Sequence, residues 1–459
     1  MQYNIIMHLI QMYFSFYEDY GDYEVYQGND EIYFFDVWRY CGLLSVQSIL
    51  PLVIKLLVSN AIFGIILPNC KSESCFHLVS GGVGVYLISE VKSFEGKYII
   101  VIYFLISYFV LLSSQYVGDG NRKRLGIFAK LALIGSLIFS EYLLIDPAIF
   151  LQIRGILMVL IMKVLSLVDE TVERKTSIGI LQYFGYSLCC ANILFGPWIT
   201  FREYLGIHST RRRKDIFWIL GICKSLILAL LCLTVSNCWS TYLIPDESNR
   251  WLLAYRDALA FRYSHYFVSY MAESGMIAAG FKNPTLKDGS IWSYTIVSPM
   301  EVEFPTSLSV VVTKWNGPMH LFLKNSIYQP TKRYGQFAAI MATFLISSFL
   351  HGLEVKVSVV LLSLGLFSYL QAKARTILSS GFSACVKIKS CKQCNHKYKR
   401  DHWAVKISLI LFSFTSIIHL AYLGILMDPQ SNDISIYEKW NNLYFIGHVI
   451  MFFNLILII

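Results

Sequence analysis

Two short stretches hold side chains that could do chemistry in surroundings that disfavour polar groups. In "ISSFLHGLE" (346–354) a long apolar run ends on His351, flanked by Ser347, Ser348 and Gly352. Desolvation favours the neutral form of an imidazole, and a neutral imidazole can take a proton from a hydroxyl as a general base. It can equally bond to a neighbouring helix, so the residues alone leave both roles open. The second stretch is "WNGPM" (315–319). The position before a proline avoids the helical region, and glycine permits unusual dihedrals. Asn316 is therefore expected at a helix or turn end, with its amide available to point at something.

Other polar groups in apolar runs read more weakly. Arg154 and Lys163 stand nine positions apart, on opposite faces of an ideal helix, which favours anchoring at helix ends over a joint site. Lys55 can snorkel, and His419 in "SIIHLAYLG" reads first as a packing group. The eleven cysteines show no overall disulfide framework, and Cys189, Cys190, Cys223 and Cys232 fall in apolar runs as small hydrophobes. One cluster differs: "ACVKIKSCKQCNHKYKRDH" (384–402) gathers Cys385, Cys391, Cys394, His396 and His402 in a basic loop. In the cytosol its thiols stay reduced, which favours a small zinc site over a disulfide. Its spacing is tighter than in standard zinc modules, so palmitoylation or free thiols stay open and no metal is assigned. P-loop, HExxH, GxSxG and Rossmann patterns are missing, which leaves NTP hydrolysis, zincin proteolysis and hydrolase-type acyl transfer without support.

These residues must be positioned by membrane helices. With 459 residues, 55% of them hydrophobic and 15% charged, and a mean hydropathy of +0.52, the chain is an all-α polytopic membrane protein. Runs long enough to span lie near 41–67, 98–117, 125–145, 147–168, 178–200, 216–238, 336–353, 355–378, 403–427 and 442–459. Segment 76–90 is shorter and glycine-broken, as in a partial or re-entrant element. Roughly nine to eleven membrane helices follow, with interfacial or re-entrant ones beside them. Between the two groups of spans, 250–276 reads as a helix at the interface or along a polar cavity, and 293–315 ("SYTIVSPMEVEFPTSLSVVVTKW") as β-prone. The expected organisation is a variable acidic and aromatic segment, 1–40, before a single membrane-embedded domain, 41–459. The first residues lack a secretory signal pattern, so targeting is expected from the first span.

The net charge of +9 gathers in "NRKR" (121–124), "TRRRKD" (210–215) and 373–400. Positive-inside bias puts these loops in the cytoplasm, beside lipid headgroups. Such a balance on a polytopic chain is no argument for nucleic acid. A transporter would also carry broken spans and buried polar groups, but neither an inverted repeat nor a matched pair of broken spans is visible.

A span ending in "SFLHG", with a "WN" turn and a proline 35 positions upstream, resembles the membrane-bound O-acyltransferase superfamily. "FGPWITFREYL" (195–205), "FRYSHYFVSYMAE" (261–273), "VVTKWNGPM" (311–319), "HGLEVKVSVVLLSLGL" (351–366) and "IIHLAYLG" (417–424) run in the order of its protein-acylating branch, over about 150–425. The segments 1–36 and 239–250 depart from that pattern. The resemblance implies a superfamily core fold, palmitoleoyl-CoA as co-substrate with no other cofactor, and a Wnt serine as acceptor. It also implies residence in the endoplasmic reticulum membrane among its lipids. By the same resemblance His351 is the catalytic base, Asn316 its polar partner, and Trp315, Pro318 and Ser347 belong to the substrate-binding wall. Lys332 and Arg333, close after the asparagine turn, are candidates for the CoA phosphates, or equally for an interfacial anchor.

Overall fold

The computed structural model describes residues 34–116, 119–174, 177–210, 214–282, 292–352, 354–389, 391, 394–427 and 434–459. Most of the acidic N-terminal segment, and Arg211, Arg212 and Arg213 of the basic loop, lie outside the described residues. Among the described residues the chain is helical, without a β-strand. Seven helices among the described residues are long and apolar enough to cross a membrane, and Glu73–Ile88, Gln336–Leu350 and Ile446–Ile456 are shorter apolar helices. The protein is thus a multi-pass membrane protein with a helix inventory in the expected range. Two compact units are present: one takes the described residues up to Trp239 with Tyr263–Ile296, the other Ser240–Arg262 with Val297–Ile459.

The first unit contains α1 (Leu43–Ile66), α2 (Glu73–Ile88), α3 (Phe94–Tyr116), α4 (Asp119–Phe139), α5 (Pro147–Arg174), α6 (Ile180–Ser187), α7 (Phe201–Thr210) and α8 (Ile216–Thr234). Helix α5 is its most buried span, and α3 and α4 pack on it. The glycines of α2 do not break it. A Cβ on Gly84 would fall 1.7 Å from the Leu188 carbonyl oxygen, and one on Gly185 of α6 would fall 2.7 Å from the His77 backbone. Small residues here let two backbones approach, as at close membrane-helix crossings.

The reading of 178–200 as a span is overturned. Helix α6 stops at Ser187, and 188–200 continues as buried irregular backbone. Such backbone survives at membrane depth only where protein satisfies it, and Lys163 of α5 does so. Its Nζ, fully buried, donates to the carbonyls of Tyr186 (2.9 Å) and Ser187 (3.1 Å) and to Asn192 Oδ1 (2.6 Å). The last carbonyls of a helix lack intrahelical donors and carry the negative end of its dipole, so a buried ammonium suits them. Lys163 is therefore no end anchor. Nor is Arg154, which pairs with Glu141 at 3.1 Å in the interior.

The reading of the cysteines also needs correcting, because Cys41 and Cys238 form a disulfide. They stand 197 positions apart and meet because the π-helical turns Trp38–Gly42 and Val235–Trp239 pack side by side. Helix α9 (Arg250–Ala279) realises the expected helix at 250–276. Its last turns, in the first unit, are buried, with Tyr266, Met271 and Met276 fully enclosed.

The second unit holds α10 (Leu308–Trp315), α11 (Gly317–Leu323), α12 (Gln336–Leu350), α13 (Val355–Gly381), α14 (Trp403–Gly424) and α15 (Ile446–Ile456). The β-prone expectation for 293–315 fails. Pro299 opens the helical turn Pro299–Glu303, and Ser307 caps α10 by accepting from the Val310 N–H at 3.3 Å. Caps and proline placement outweigh the β-branched composition, since propensity is a weak prior beside local hydrogen bonding.

Candidate active site

His351 is the cap residue that ends α12. Its N–H donates to the Ser347 carbonyl at 3.0 Å, and Gly352 follows at φ +78°, a left-handed conformation that ends helices cheaply only with glycine. The chain then turns back into α13. Helices α12 and α13 form an antiparallel hairpin: Ser348 Oγ donates to Ser358 Oγ at 2.6 Å, Phe344 lies over Gly365, and Phe337 stacks at a tilt on Tyr369 with centroids 5.1 Å apart. A Cβ on Gly365 would come within 2.6 Å of the Phe344 ring. The half-buried His351 thus sits at the tip of a tightly packed hairpin.

Asn316 occupies the junction between α10 and α11, as its sequence implies. Its backbone is extended (φ −151°, ψ 93°), its Oδ1 accepts from the Met319 N–H at 3.0 Å, and its carbonyl accepts from His320 N–H at 2.9 Å. Pro318 falls in the first turn of α11, where a missing N–H costs nothing. With Oδ1 engaged in capping, the Nδ2 donor is the half of the amide left for a ligand. Trp315 ends α10 and stacks on Phe261 with centroids 6.1 Å apart. The half-buried His320 lies one turn beyond Asn316, where burial and the neighbouring Lys324 hold its imidazole below the usual histidine range.

Helix α13 touches the elements that lead to both residues, α12 ending at His351 and α10 ending just before Asn316. Beyond its hairpin with α12, it packs against α10. The buried Gln371 accepts from the Leu308 N–H at 2.9 Å and donates to Ser416 Oγ at 2.9 Å, joining the start of α10 to α14. One turn on, Arg375 donates to the carbonyls of Thr306 (2.7 Å) and Val386 (2.8 Å). These two residues and His320 were missed in the sequence. The available signal was a polar pair one turn apart inside an apolar run.

The remaining candidates divide. Ser347 is buried one turn before His351. Lys332 and Arg333 are exposed on the turn before α12, with the Arg333 guanidinium donating to Tyr334 at 2.8 Å. The length of α12, about 22 Å for its helical rise, separates them from His351. Cys385, Cys391, Cys394 and His396 converge in the α13–α14 loop, whereas His402 instead caps α14 by accepting from Ala404 N–H at 3.3 Å. His419 is a packing group: Nδ1 bonds the Thr415 carbonyl at 2.7 Å, and its ring meets Phe367 edge-on.

Residues 94–376 match the model of MBOAT, the membrane-bound O-acyltransferase family. That range includes Asn316 and His351. The chain is 36% identical over 354 residues to the protein-serine O-palmitoleoyltransferase porcupine of Anopheles gambiae, covering 70% of this chain and 71% of the relative. It is 32% identical over 385 residues to the porcupine enzyme of Homo sapiens, covering 77% and 82%.

Proposed function

The chain belongs to the membrane-bound O-acyltransferase family, and on that premise we propose that it transfers a palmitoleoyl group from palmitoleoyl-CoA to a serine hydroxyl of Wnt proteins in the endoplasmic reticulum membrane. The similarity to porcupine enzymes over most of both chains supports the activity. The observation that carries the reading of the site is the placement of His351 at the inner end of a helix too short to cross.

Helix α12 has 15 residues, a rise of about 22 Å against a hydrocarbon core of about 30 Å. Its first end carries Lys332, Arg333 and Tyr334, side chains that anchor at an interface. A helix anchored there ends inside the bilayer and delivers His351 to membrane depth. Helix α13 runs back to the basic loop 373–400, so both ends of the hairpin carry the charge expected on the cytoplasmic side. An acyl chain can stay in hydrocarbon while its thioester meets a serine from the lumen.

In the reaction we infer, His351 takes the proton of the serine hydroxyl as its oxygen attacks the thioester carbonyl. Asn316 Nδ2 donates to the acyl oxygen as negative charge develops on it. The carbon–sulfur bond breaks, CoA leaves as the thiol with the proton His351 carried, and the serine ester remains. No protein nucleophile is required. Lys332 and Arg333 would meet the CoA phosphates at the cytoplasmic mouth, and Trp315, Pro318 and Ser347 would line the substrate path.

The test is acceptor competition with purified protein and palmitoleoyl-CoA. A Wnt serine peptide should be labelled in the presence of sterol, diacylglycerol and lysophospholipid. Acylation of a lipid with none on the peptide would overturn the proposal.

A further inference from the structure

The loop between α13 and α14 lies beyond the family-model match, which ends at residue 376, and the transfer reaction makes no use of it. Four soft donors meet there. One ligand atom from each of Cys385, Cys391, Cys394 and His396 lies within 4.8 Å of all the others. Cys385 Sγ and Cys391 Sγ are 3.8 Å apart, and His396 Nδ1 is 3.7 Å from Cys391 Sγ and 3.4 Å from Cys394 Sγ.

We propose that these four residues bind one zinc ion as a closed structural site of three thiolates and one imidazole. A tetrahedral zinc with Zn–S of about 2.3 Å and Zn–N of about 2.05 Å puts two sulfurs about 3.8 Å apart and a sulfur and a nitrogen about 3.6 Å apart. The three recorded separations fall close to those edges. Paired thiols poised for a disulfide would leave His396 without a reason to aim at the group, whereas a metal employs all four donors.

Three further features fit the ion. His396 turns Nδ1 to the sulfurs while its Nε2 lies 3.1 Å from Ser379 Oγ. With Nδ1 on the metal, Nε2–H donates to that hydroxyl, the kind of outer hydrogen bond that orients a ligating imidazole. Three thiolates around a dication leave one net negative charge, and Arg400, four positions beyond His396, has a buried Nη1 with no hydrogen-bond partner among the described residues. The scaffold is also set. Cys385 N–H donates to the Tyr398 carbonyl at 2.9 Å and Tyr398 N–H to the Ser383 carbonyl at 3.0 Å, and Ala384, Val386 and Val405 form a small apolar core beneath.

The loop's many lysines predict the cytoplasmic side, where thiols stay reduced and available to a metal. Soft thiolates with an imidazole select zinc over hard cations. Binding releases the three thiol protons and ties the cysteine loop to the end of α13 through Ser379.

The test uses the full chain in detergent, first without any substitution. Metal analysis of the purified protein should find about one zinc per chain, and Cys385, Cys391 and Cys394 should resist alkylation until a chelator is added. His396→Cys, which keeps four ligands, should retain the ion, while His396→Ala and the double variant Cys391→Ser/Cys394→Ser should lose it. Ser379→Ala should keep all ligands but weaken zinc about 10–100-fold in a competition titration. A native protein free of zinc overturns the site, whether its thiols are open to alkylation, joined as a Cys385–Cys391 disulfide or acylated. Zinc retained by the double variant overturns it too.

Discussion

At the scale of single residues, Asn316 and His351 are asked for different things, and substitutions can separate them. His351→Ala removes the proposed base and should lower acyl transfer by about 10²–10⁴-fold, while the purified variant still binds palmitoleoyl-CoA. Full transfer in that variant would remove His351 from the chemistry. Asn316 both caps α11 and offers an amide donor. Asn316→Ala loses both, with a stability cost of about 1 kcal/mol from the cap. Asn316→Asp keeps an oxygen for the Met319 N–H but has no amide donor. It should retain the thermal midpoint and still lose turnover, about 10²–10³-fold; a turnover loss seen only with Ala would make the residue a cap alone. For Lys332 and Arg333, joint replacement by alanine should raise the apparent KM for the acyl-CoA and leave kcat in place, because α12 holds them far from the reacting atoms. An unchanged KM would assign them to anchoring.

At the scale of elements, the α12–α13 hairpin sets where His351 stands. Gly365 lets the Phe344 ring sit against the α13 backbone, so Gly365→Ala should force the helices apart. Overpacking of this kind costs about 1–3 kcal/mol. The variant should unfold at lower temperature and lose transfer, and the added Phe344→Leu should restore both. A wild-type melting point for Gly365→Ala would show that the contact relaxes freely. The hairpin was half legible in advance: the two apolar runs and the histidine between them were plain, because span length and hydropathy are local properties. The break after Ser187 was not, because 178–200 is as apolar as a true span. The carbonyls left open where the helix ends accept from an ammonium on α5, brought to them by helix packing. The segment 293–315 failed for the opposite reason, since local caps at Ser307 and Asn316 decided a question that composition had answered wrongly.

At the scale of the whole molecule, two independent signals predict the sidedness of the first unit. "TRRRKD" precedes α8, and Cys238, just past the other end of that helix, is bonded to Cys41. Positive charge marks the cytoplasmic end, and a stable disulfide marks an oxidising compartment, so a span between them satisfies both. In sealed microsomes, Cys41→Ser should leave Cys238 reactive to a membrane-impermeant thiol reagent only after the vesicles are opened. Labelling of Cys238 in closed vesicles would invert the assignment.

The sequence by itself determined the class, the number of apolar helices within narrow bounds, the turn at Asn316 and the exceptional position of His351. Each follows from neighbours along the chain: length against bilayer thickness, a proline and a glycine after an asparagine, one imidazole in an apolar run. Only the tertiary structure decided that Lys163 closes the open end of α6, that Gln371 ties α10 to α14, that Cys41 meets Cys238, and that three thiols and one imidazole converge within 4.8 Å of one another. Those outcomes join groups brought together by the packing of helices, and a buried polar group is explained only by the partner that packing delivers to it.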